Sequence, residues 1–91
     1  MFNLEFTESA SKQFSKLDPN VRKIVAQSIS KRLKNPHIAS SRLGGHLAGY
    51  YKIKLNSIGL RVIYRVEDDI MTVVLVRIGK RQNFEVYKPL P

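Results

Sequence analysis

The sequence lacks cysteine and tryptophan, and it has few acidic residues. Without cysteine, neither a disulfide framework nor a thiolate metal site can form, and this usage favours a reducing cytoplasm. Long apolar runs are also missing, since the longest, residues 73–76, is far too short to span a bilayer. The first residues lack the basic segment of a secretory signal. We therefore expect a cytoplasmic protein with no membrane partner.

The charge is strongly one-sided, with 16 lysines and arginines against 7 acidic residues and a net charge of +9. Self-repulsion of this kind destabilises a folded chain, so it usually serves a polyanionic partner. Nucleic acid is the favoured partner, and an acidic protein or a membrane surface is the alternative. The length of 91 residues predicts a single domain over residues 1–91.

The first part of the chain has the pattern of a strand followed by two helices. Apolar and polar residues alternate over residues 2–6, which predicts a short strand. Thr7 is placed to cap a helix over residues 8–16. Asp18, followed by proline, is placed to cap a second helix over residues 19–34, which Asn35 and a proline end.

The second part predicts a glycine- and serine-rich loop over residues 36–49 and then three strands. These span about residues 51–55, 60–66 and 70–78, joined by turns at 56–59 and 67–69. Short turns place neighbouring strands antiparallel. The predicted fold class is therefore α+β, with a twisted antiparallel sheet made of the first strand and a three-strand meander. Two N-terminal helices pack on one face of that sheet.

One face of the predicted meander is cationic. Alternation puts Lys52 and Lys54 on the same face, and a tight hairpin places Lys54 opposite Arg61. Arg65 shares this face, and Arg77 of the next strand can join it. Like charges facing each other are unfavourable, and no acidic residue lies within the two predicted strands. This favours a focused phosphate site, although long side chains splayed into water are an alternative.

Further cations and a tyrosine follow the last predicted strand. Gly79 is expected to let the backbone leave the sheet, with Lys80 and Arg81 next. Tyr87 then lies among cations, which favour the phenolate form and make this residue a candidate general base. The alternative is an amphipathic tyrosine that covers the sheet edge.

An ordered set of residues in this region resembles the RelE toxins. The resemblance covers nearly the whole chain and is carried by Tyr51-Lys52-Ile53-Lys54-Leu55, Gly59, Arg61, Tyr64, Val66, Ile78-Gly79-Lys80-Arg81 and Glu85-Val86-Tyr87. It implies the toxin of a type II toxin-antitoxin system, a ribosome-dependent endonuclease that cuts mRNA in the A-site and inhibits translation. It also implies attack by the ribose 2′-hydroxyl on the adjacent phosphate, with no cofactor.

The resemblance assigns catalysis to five positions: Lys52, Lys54, Arg61, Arg81 and Tyr87. In this assignment Tyr87 takes the 2′ proton, and Arg81 assists the leaving 5′-oxygen. The two lysines and Arg61 stabilise the charge of the phosphorane. Because arginine does not readily lose a proton, Arg81 suits charge stabilisation better than the role of general acid.

The resemblance also implies partners. These are a cognate RelB-like antitoxin that silences the toxin, the ribosomal A-site with its mRNA, and operator DNA bound by the toxin-antitoxin complex. The remaining cations are predicted to contact RNA or the ribosome: Arg65, Arg77, Lys80, Lys23, Lys31 and Arg32. For those on the second helix, a solvated basic face is an equally good interpretation. Many relatives carry a basic residue at Gly44, so a ribosomal contact is missing there or His46 supplies it.

Two other functions remain open. ParE-type toxins resemble RelE in fold but poison DNA gyrase, and they lack the five-residue set. A non-catalytic RNA-binding module would grip phosphate without needing Tyr87. His37 and His46 have no carboxylate at an obvious spacing, so we expect neither to be catalytic. The acidic residues 67–69 are typical of a hairpin turn and too few for a metal site, so we predict no metal.

Overall fold

The computed structural model of the protein describes residues 1–81 and 86–88. Its strands and helices, in chain order, are β1 (Asn3–Phe6), α1 (Glu8–Ser15), α2 (Pro19–Lys34), β2 (Tyr50–Leu55), β3 (Leu60–Glu67) and β4 (Thr72–Lys80). The predicted α+β class is confirmed, with both helices early and a three-strand meander late. Short 3-10 turns occupy parts of the predicted loop and both hairpin connections.

The sheet has the strand order β1-β4-β3-β2. The meander β2-β3-β4 is antiparallel as predicted, but β1 pairs with β4 in parallel. The sheet is therefore mixed, and the expectation of a wholly antiparallel sheet is wrong for this pair. The physical reason is the connection: α1 and α2 carry the chain from β1 at one edge to β2 at the other, and such a helical crossover permits parallel strands.

The helix ends follow local chemistry. Thr7 caps α1 as predicted, because its hydroxyl accepts a hydrogen bond from the Ala10 amide at 3.1 Å. Asp18 occupies the cap position of α2, but its side chain makes no capping hydrogen bond. Its backbone carbonyl accepts the Arg22 amide at 2.9 Å instead. The second helix ends at Lys34, where the following Asn-Pro pair was expected to stop it.

Both faces of the sheet carry apolar clusters, but of different size. The larger one packs the helices against the sheet and contains Ala10, Val25, Ile29, Tyr51, Ile53, Val62, Tyr64, Val73, Leu75 and Ile78. The smaller one lies on the other face and contains Leu47, Ile63, Val74, Val76 and Val86. Its cover comes from the 36–49 loop and from the segment around Val86 rather than from a helix. The helices therefore leave this second face uncovered.

The connection between β3 and β4 lies later than predicted. A 3-10 turn spans Asp68–Ile70, and Met71 closes it with a left-handed φ of 46°. The last strand then begins at Thr72 and continues to Lys80, which pairs with Leu60. Gly79 consequently stays within the sheet, so the prediction that the backbone leaves the sheet at this glycine is wrong.

A buried tyrosine network joins α2 to the strand that carries Lys52. The Tyr64 hydroxyl donates to the Pro36 carbonyl at 2.8 Å and accepts from Arg32 Nη1 at 2.8 Å. Arg32 Nη1 also donates to the Lys52 carbonyl at 3.4 Å. Burial raises the pKa of the Tyr64 hydroxyl, and the hydrogen bond from Arg32 offsets part of that rise. The phenol is thus protonated and available as a donor at neutral pH.

Replacing this hydroxyl tests the network. Tyr64→Phe leaves the Pro36 carbonyl and the Arg32 guanidinium without their partner, so the free energy of unfolding should fall by about 1–3 kcal/mol. Chemical denaturation measures it. The matched control is Tyr50→Phe, which removes a hydroxyl from a half-buried tyrosine of β2. Equal stability of the two variants would contradict a contribution from the network.

In the described part of the chain, neither helix has the length and apolar character needed to cross a membrane.

Candidate active site

Three cations of the meander lie on the sheet face away from the helices. Lys54 pairs with Arg61 across β2 and β3, which confirms the predicted register. Lys52 lies two residues before Lys54 on β2, on the same face, and pairs with Ile63 of β3. We call the surface formed by Lys52, Lys54 and Arg61 the cationic face. On its other side, Arg61 pairs with Gly79 of β4, so the face lies toward one end of the sheet.

Arg61 is the buried centre of the cationic face. Its side chain is only 5% exposed, and Nη1 donates to the adjacent Leu60 carbonyl at 3.0 Å. Within residues 1–81 and 86–88, the ion pairs are Lys12–Glu8, His37–Asp68 and Arg65–Glu67. None of them includes a member of the cationic face. Burying a guanidinium without a carboxylate is costly, so this arrangement is suited to an anion that binds from outside.

Arg65 differs from its neighbours on this face. Its Nε donates to Glu67 Oε1 at 3.0 Å. The expectation that no acidic residue lies within the two strands is wrong, because β3 runs one residue further than predicted and ends at Glu67. Arg65 is therefore partly neutralised inside the protein, which weakens its predicted role as an RNA contact.

Arg81 is held beside the cationic face by its backbone. Its amide donates to the Gly59 carbonyl at 3.0 Å. Gly59 has a left-handed φ of 65°, which glycine adopts readily at the end of the β2-β3 turn. An open cavity of about 400 Å³ lies here, lined by Ile58, Gly59, Leu60, Lys80 and Arg81. The exposed Arg81 thus follows two residues after Gly79, the β4 residue that pairs with Arg61.

Tyr87 reaches the same face through the close packing of Val86 on Gly79. Val86 is buried, and a Cβ built on Gly79 would lie 3.0 Å from the Cβ of Val86. The half-buried Tyr87 packs against the apolar cluster that includes Ile63. Gly79 is therefore needed for close approach rather than for leaving the sheet. Glu85, part of the same predicted motif, lies outside the described residues.

The strand register thus puts Lys52, Lys54 and Arg61 on one sheet face, Arg81 follows β4 at the same end of the sheet, and Tyr87 packs on the apolar cluster of that face. Other predicted RNA-contacting residues lie elsewhere. Lys23 and Lys31 are exposed on α2, across the sheet from the cationic face, where they line a shallow groove. Lys80, at the end of β4, follows Gly79, so strand alternation places it on the side of the sheet that carries the helices. Arg32 differs from these residues: it is half-buried, its guanidinium bonds to the Tyr64 hydroxyl, and it lines an open pocket together with Lys52 and Lys54.

Both histidines have partners that the sequence did not indicate. His37 Nε2 donates to Asp68 Oδ1 at 2.6 Å, and Nδ1 lies 3.1 Å from the Tyr51 hydroxyl. No carboxylate stands at an obvious spacing in the sequence, and this partner lies 31 residues away, so only the fold brings the pair together. His46 Nε2 donates to the Tyr87 carbonyl at 2.8 Å.

Among the described residues, no three His, Cys, Asp or Glu side chains come together in a way that could hold a metal ion.

Comparison with known proteins shows the family of this chain. Residues 4–83 match a family model described as the ParE toxin of the type II toxin-antitoxin system parDE. The mRNA interferase toxin RelE of Escherichia coli is 38% identical over 84 residues, which cover 92% of this chain and 87% of that protein. The chain is a RelE-type toxin of the RelE/ParE superfamily. A putative RelE-like toxin protein of Escherichia coli is similar to this RelE-type chain as well, at 37% identity over 86 residues, covering 94% and 90% of the two.

Solved RelE structures share the fold. The isolated Escherichia coli RelE toxin superposes with a TM-score of 0.84 at 36% identity, covering 96% of this RelE-type chain and 92% of that one. The toxin in the intact Escherichia coli RelBE toxin-antitoxin complex gives a TM-score of 0.82 at 35% identity, with coverages of 88% and 96%. These likenesses confirm the predicted resemblance to RelE in both sequence and fold.

Proposed function

We propose that this RelE-type toxin is a ribosome-dependent endoribonuclease that cleaves mRNA in the A-site and so inhibits translation. The observation that carries the proposal is the burial of Arg61, which is 5% exposed and lies opposite Lys54. Among the described residues, no carboxylate forms an ion pair with it. Such a preorganised positive field suits a phosphate whose negative charge grows during reaction. The similarity to the Escherichia coli mRNA interferase RelE supports the same reaction.

The reaction follows from the chemistry of the gathered side chains. The ribose 2′-oxygen attacks the adjacent phosphorus while the P–O5′ bond breaks, which leaves a 2′,3′-cyclic phosphate and a 5′-hydroxyl. Tyr87 is the general base that accepts the 2′ proton. Lys52, Lys54 and Arg61 stabilise the phosphorane charge. Arg81 stabilises the leaving 5′-oxygen by its charge, and that oxygen takes its proton from water, since guanidinium is a poor acid.

Histidine is not needed for this chemistry. The two ring nitrogens of His37 face Asp68 and Tyr51, and that tyrosine belongs to the helix-side core. His46 Nε2 donates its proton in a hydrogen bond to the Tyr87 carbonyl. The candidate base on the cationic face is therefore Tyr87, with Lys52 and Lys54 as the groups to examine next.

Partners follow from the same proposal. The Escherichia coli and Mycobacterium tuberculosis relatives are described as toxin-antitoxin complexes, RelBE and RelBE2. We infer a cognate RelB-like antitoxin for this chain, whose net charge of +9 favours a partner bringing acidic side chains. The complex of the two is proposed to bind operator DNA, and the toxin to act in the cytoplasm, where the ribosomes are.

The deciding experiment is primer extension on mRNA bound to programmed ribosomes, with and without the protein. We expect cleavage within the A-site codon and a 2′,3′-cyclic phosphate at the new end. Naked RNA of the same sequence should be cut far more slowly. The cationic face is open, so alignment of the 2′-oxygen, phosphorus and 5′-oxygen must come from the ribosome.

Two results would contradict the proposal. Equal cleavage of naked and ribosome-bound RNA would remove the dependence on the ribosome. Inhibition of DNA gyrase in a supercoiling assay, without any RNA cleavage, would instead assign an activity like that of the ParE-type toxins, whose name the matching family model carries.

A further inference from the structure

Arg77 makes contacts that the reaction described above does not use. This residue of β4 lies opposite Ile63, on the same side of the sheet as the cationic face. Its Nη1 donates to the Val86 carbonyl at 3.3 Å and to the Lys88 carbonyl at 2.6 Å. The guanidinium is thus directed at the backbone on both sides of Tyr87.

His46 completes the set from a different part of the fold. It lies in the 3-10 turn Gly45–Leu47, and its Nε2 donates to the Tyr87 carbonyl at 2.8 Å. Three consecutive carbonyls, those of Val86, Tyr87 and Lys88, are therefore held by two side chains. One comes from the sheet and the other from the 36–49 loop, so the segment is fixed from two directions.

Packing adds a third restraint. Val86 is 1% exposed and lies so close to Gly79 that a Cβ there would come within 3.0 Å. The chain on both sides of Tyr87 therefore has little freedom to slide along the sheet. The position of this backbone largely determines the direction of the Tyr87 phenol, since that side chain has only two torsions of its own.

We propose that Arg77 and His46 are positioning residues that orient Tyr87 toward the cationic face. The inference rests on the proposed function for its effect on cleavage, but the restraint itself is a property of the free protein. It also reassigns Arg77, predicted above to contact RNA or the ribosome. A misplacement of about 1 Å in a reacting group can lower the rate on the order of 10²-fold, so a restraint on the position of Tyr87 should raise the cleavage rate.

The restraint can be measured without any RNA. Because the chain has no cysteine, Lys88→Cys introduces a single attachment site for a nitroxide spin label, at an exposed position. The substitution keeps the backbone carbonyl of residue 88, which accepts the hydrogen bond from Arg77. We expect a largely immobilised spectrum in the otherwise unchanged protein. Adding Arg77→Ala should convert it to a mobile one, and His46→Ala should do so in part.

A matched control uses a second arginine that binds two carbonyls. Arg22 Nη1 donates to the Ser15 carbonyl at 3.2 Å and to the Leu17 carbonyl at 3.0 Å, beside the helices. Arg22→Ala removes the same kind of contact far from Tyr87. It should leave the spin-label spectrum unchanged, and it should not alter the cleavage rate at saturating ribosomes.

Cleavage then tests whether the restraint acts through Tyr87. Under single-turnover conditions on saturating ribosomes, Arg77→Ala should slow cleavage on the order of 10–10²-fold. In a Tyr87→Phe background the same substitution should add almost nothing, since the group being positioned is already gone. Arg77→Lys retains a donor at this place and should recover part of the rate.

The outcomes separate this inference from the proposed function. If the unchanged protein does not cleave, the proposed function fails, while the spin label still decides whether the restraint exists. An immobile label in the Arg77→Ala protein overturns the inference. So does a rate loss that is fully additive with Tyr87→Phe, because Arg77 would then act on RNA directly. If Arg77→Ala does not fold, Arg77→Lys and His46→Ala carry the same comparison.

Discussion

Tyr87→Phe is expected to slow single-turnover cleavage of ribosome-bound mRNA by about 10²–10⁴-fold, the usual contribution of a general base. The substitution removes one oxygen and keeps the ring that packs on the apolar cluster below the cationic face. Fold and ribosome affinity should therefore be preserved. Saturating ribosomes remove any effect of binding from the measured rate.

The control for this result is Tyr50→Phe. Tyr50 packs against the same apolar cluster and is likewise half-buried, but the proposal gives it no part in the reaction. Its loss of a hydroxyl should leave the cleavage rate unchanged. Wild-type cleavage by Tyr87→Phe would exclude Tyr87 as the general base. Tyr87 would then be a packing residue, and Lys52 or Lys54 would have to be tested as the base.

Arg81→Ala should lower the same single-turnover rate by about 10²–10³-fold, because one preorganised positive charge at the leaving oxygen is lost. Arg81→Lys keeps the charge and should recover part of the rate. Arg81→Gln keeps hydrogen-bond donors without charge and should resemble alanine. The backbone bond to Gly59 is retained in all three variants, so the local fold should not change.

Lys80→Ala is the control for charge alone. Lys80 is adjacent in sequence, is also exposed and lines the same cavity, but strand alternation starts its side chain on the helix side of β4. Its removal changes the net charge by the same amount, so it should weaken salt-dependent association without changing the saturated rate. Similar rate losses for Arg81→Ala and Lys80→Ala would show that net charge, rather than the position of Arg81, limits cleavage.

The sequence was sufficient for the strands and for the register of the cationic face. Side chains alternate along a strand and a short turn sets which residues face each other, so Lys54 opposite Arg61 followed from local rules. The ordered motif from Tyr51 to Tyr87 was enough to indicate the RelE family, which the comparisons confirm. The catalytic roles of the five residues stay predictions, since no comparison tests them.

Tertiary packing governed the contacts between residues far apart in the chain. The parallel pairing of β1 with β4 depends on how the helices cross the sheet, which no local pattern encodes. The sequence predicts that the backbone leaves the sheet at Gly79, whereas in the structure this glycine stays in β4 and allows the close approach of Val86. Arg77, taken for one more cation, binds backbone carbonyls around Tyr87.

The contacts of the two histidines show why local sequence patterns do not predict such packing. His46 and the Tyr87 carbonyl are separated by 41 residues, and His37 and Asp68 by 31. Local propensity and periodicity act over a few residues, whereas these contacts arise only when loops are brought together by the packing of the sheet. Composition and alternation could therefore place the charges on one face, while the orientation of the tyrosine among them depended on contacts that exist only in the folded chain.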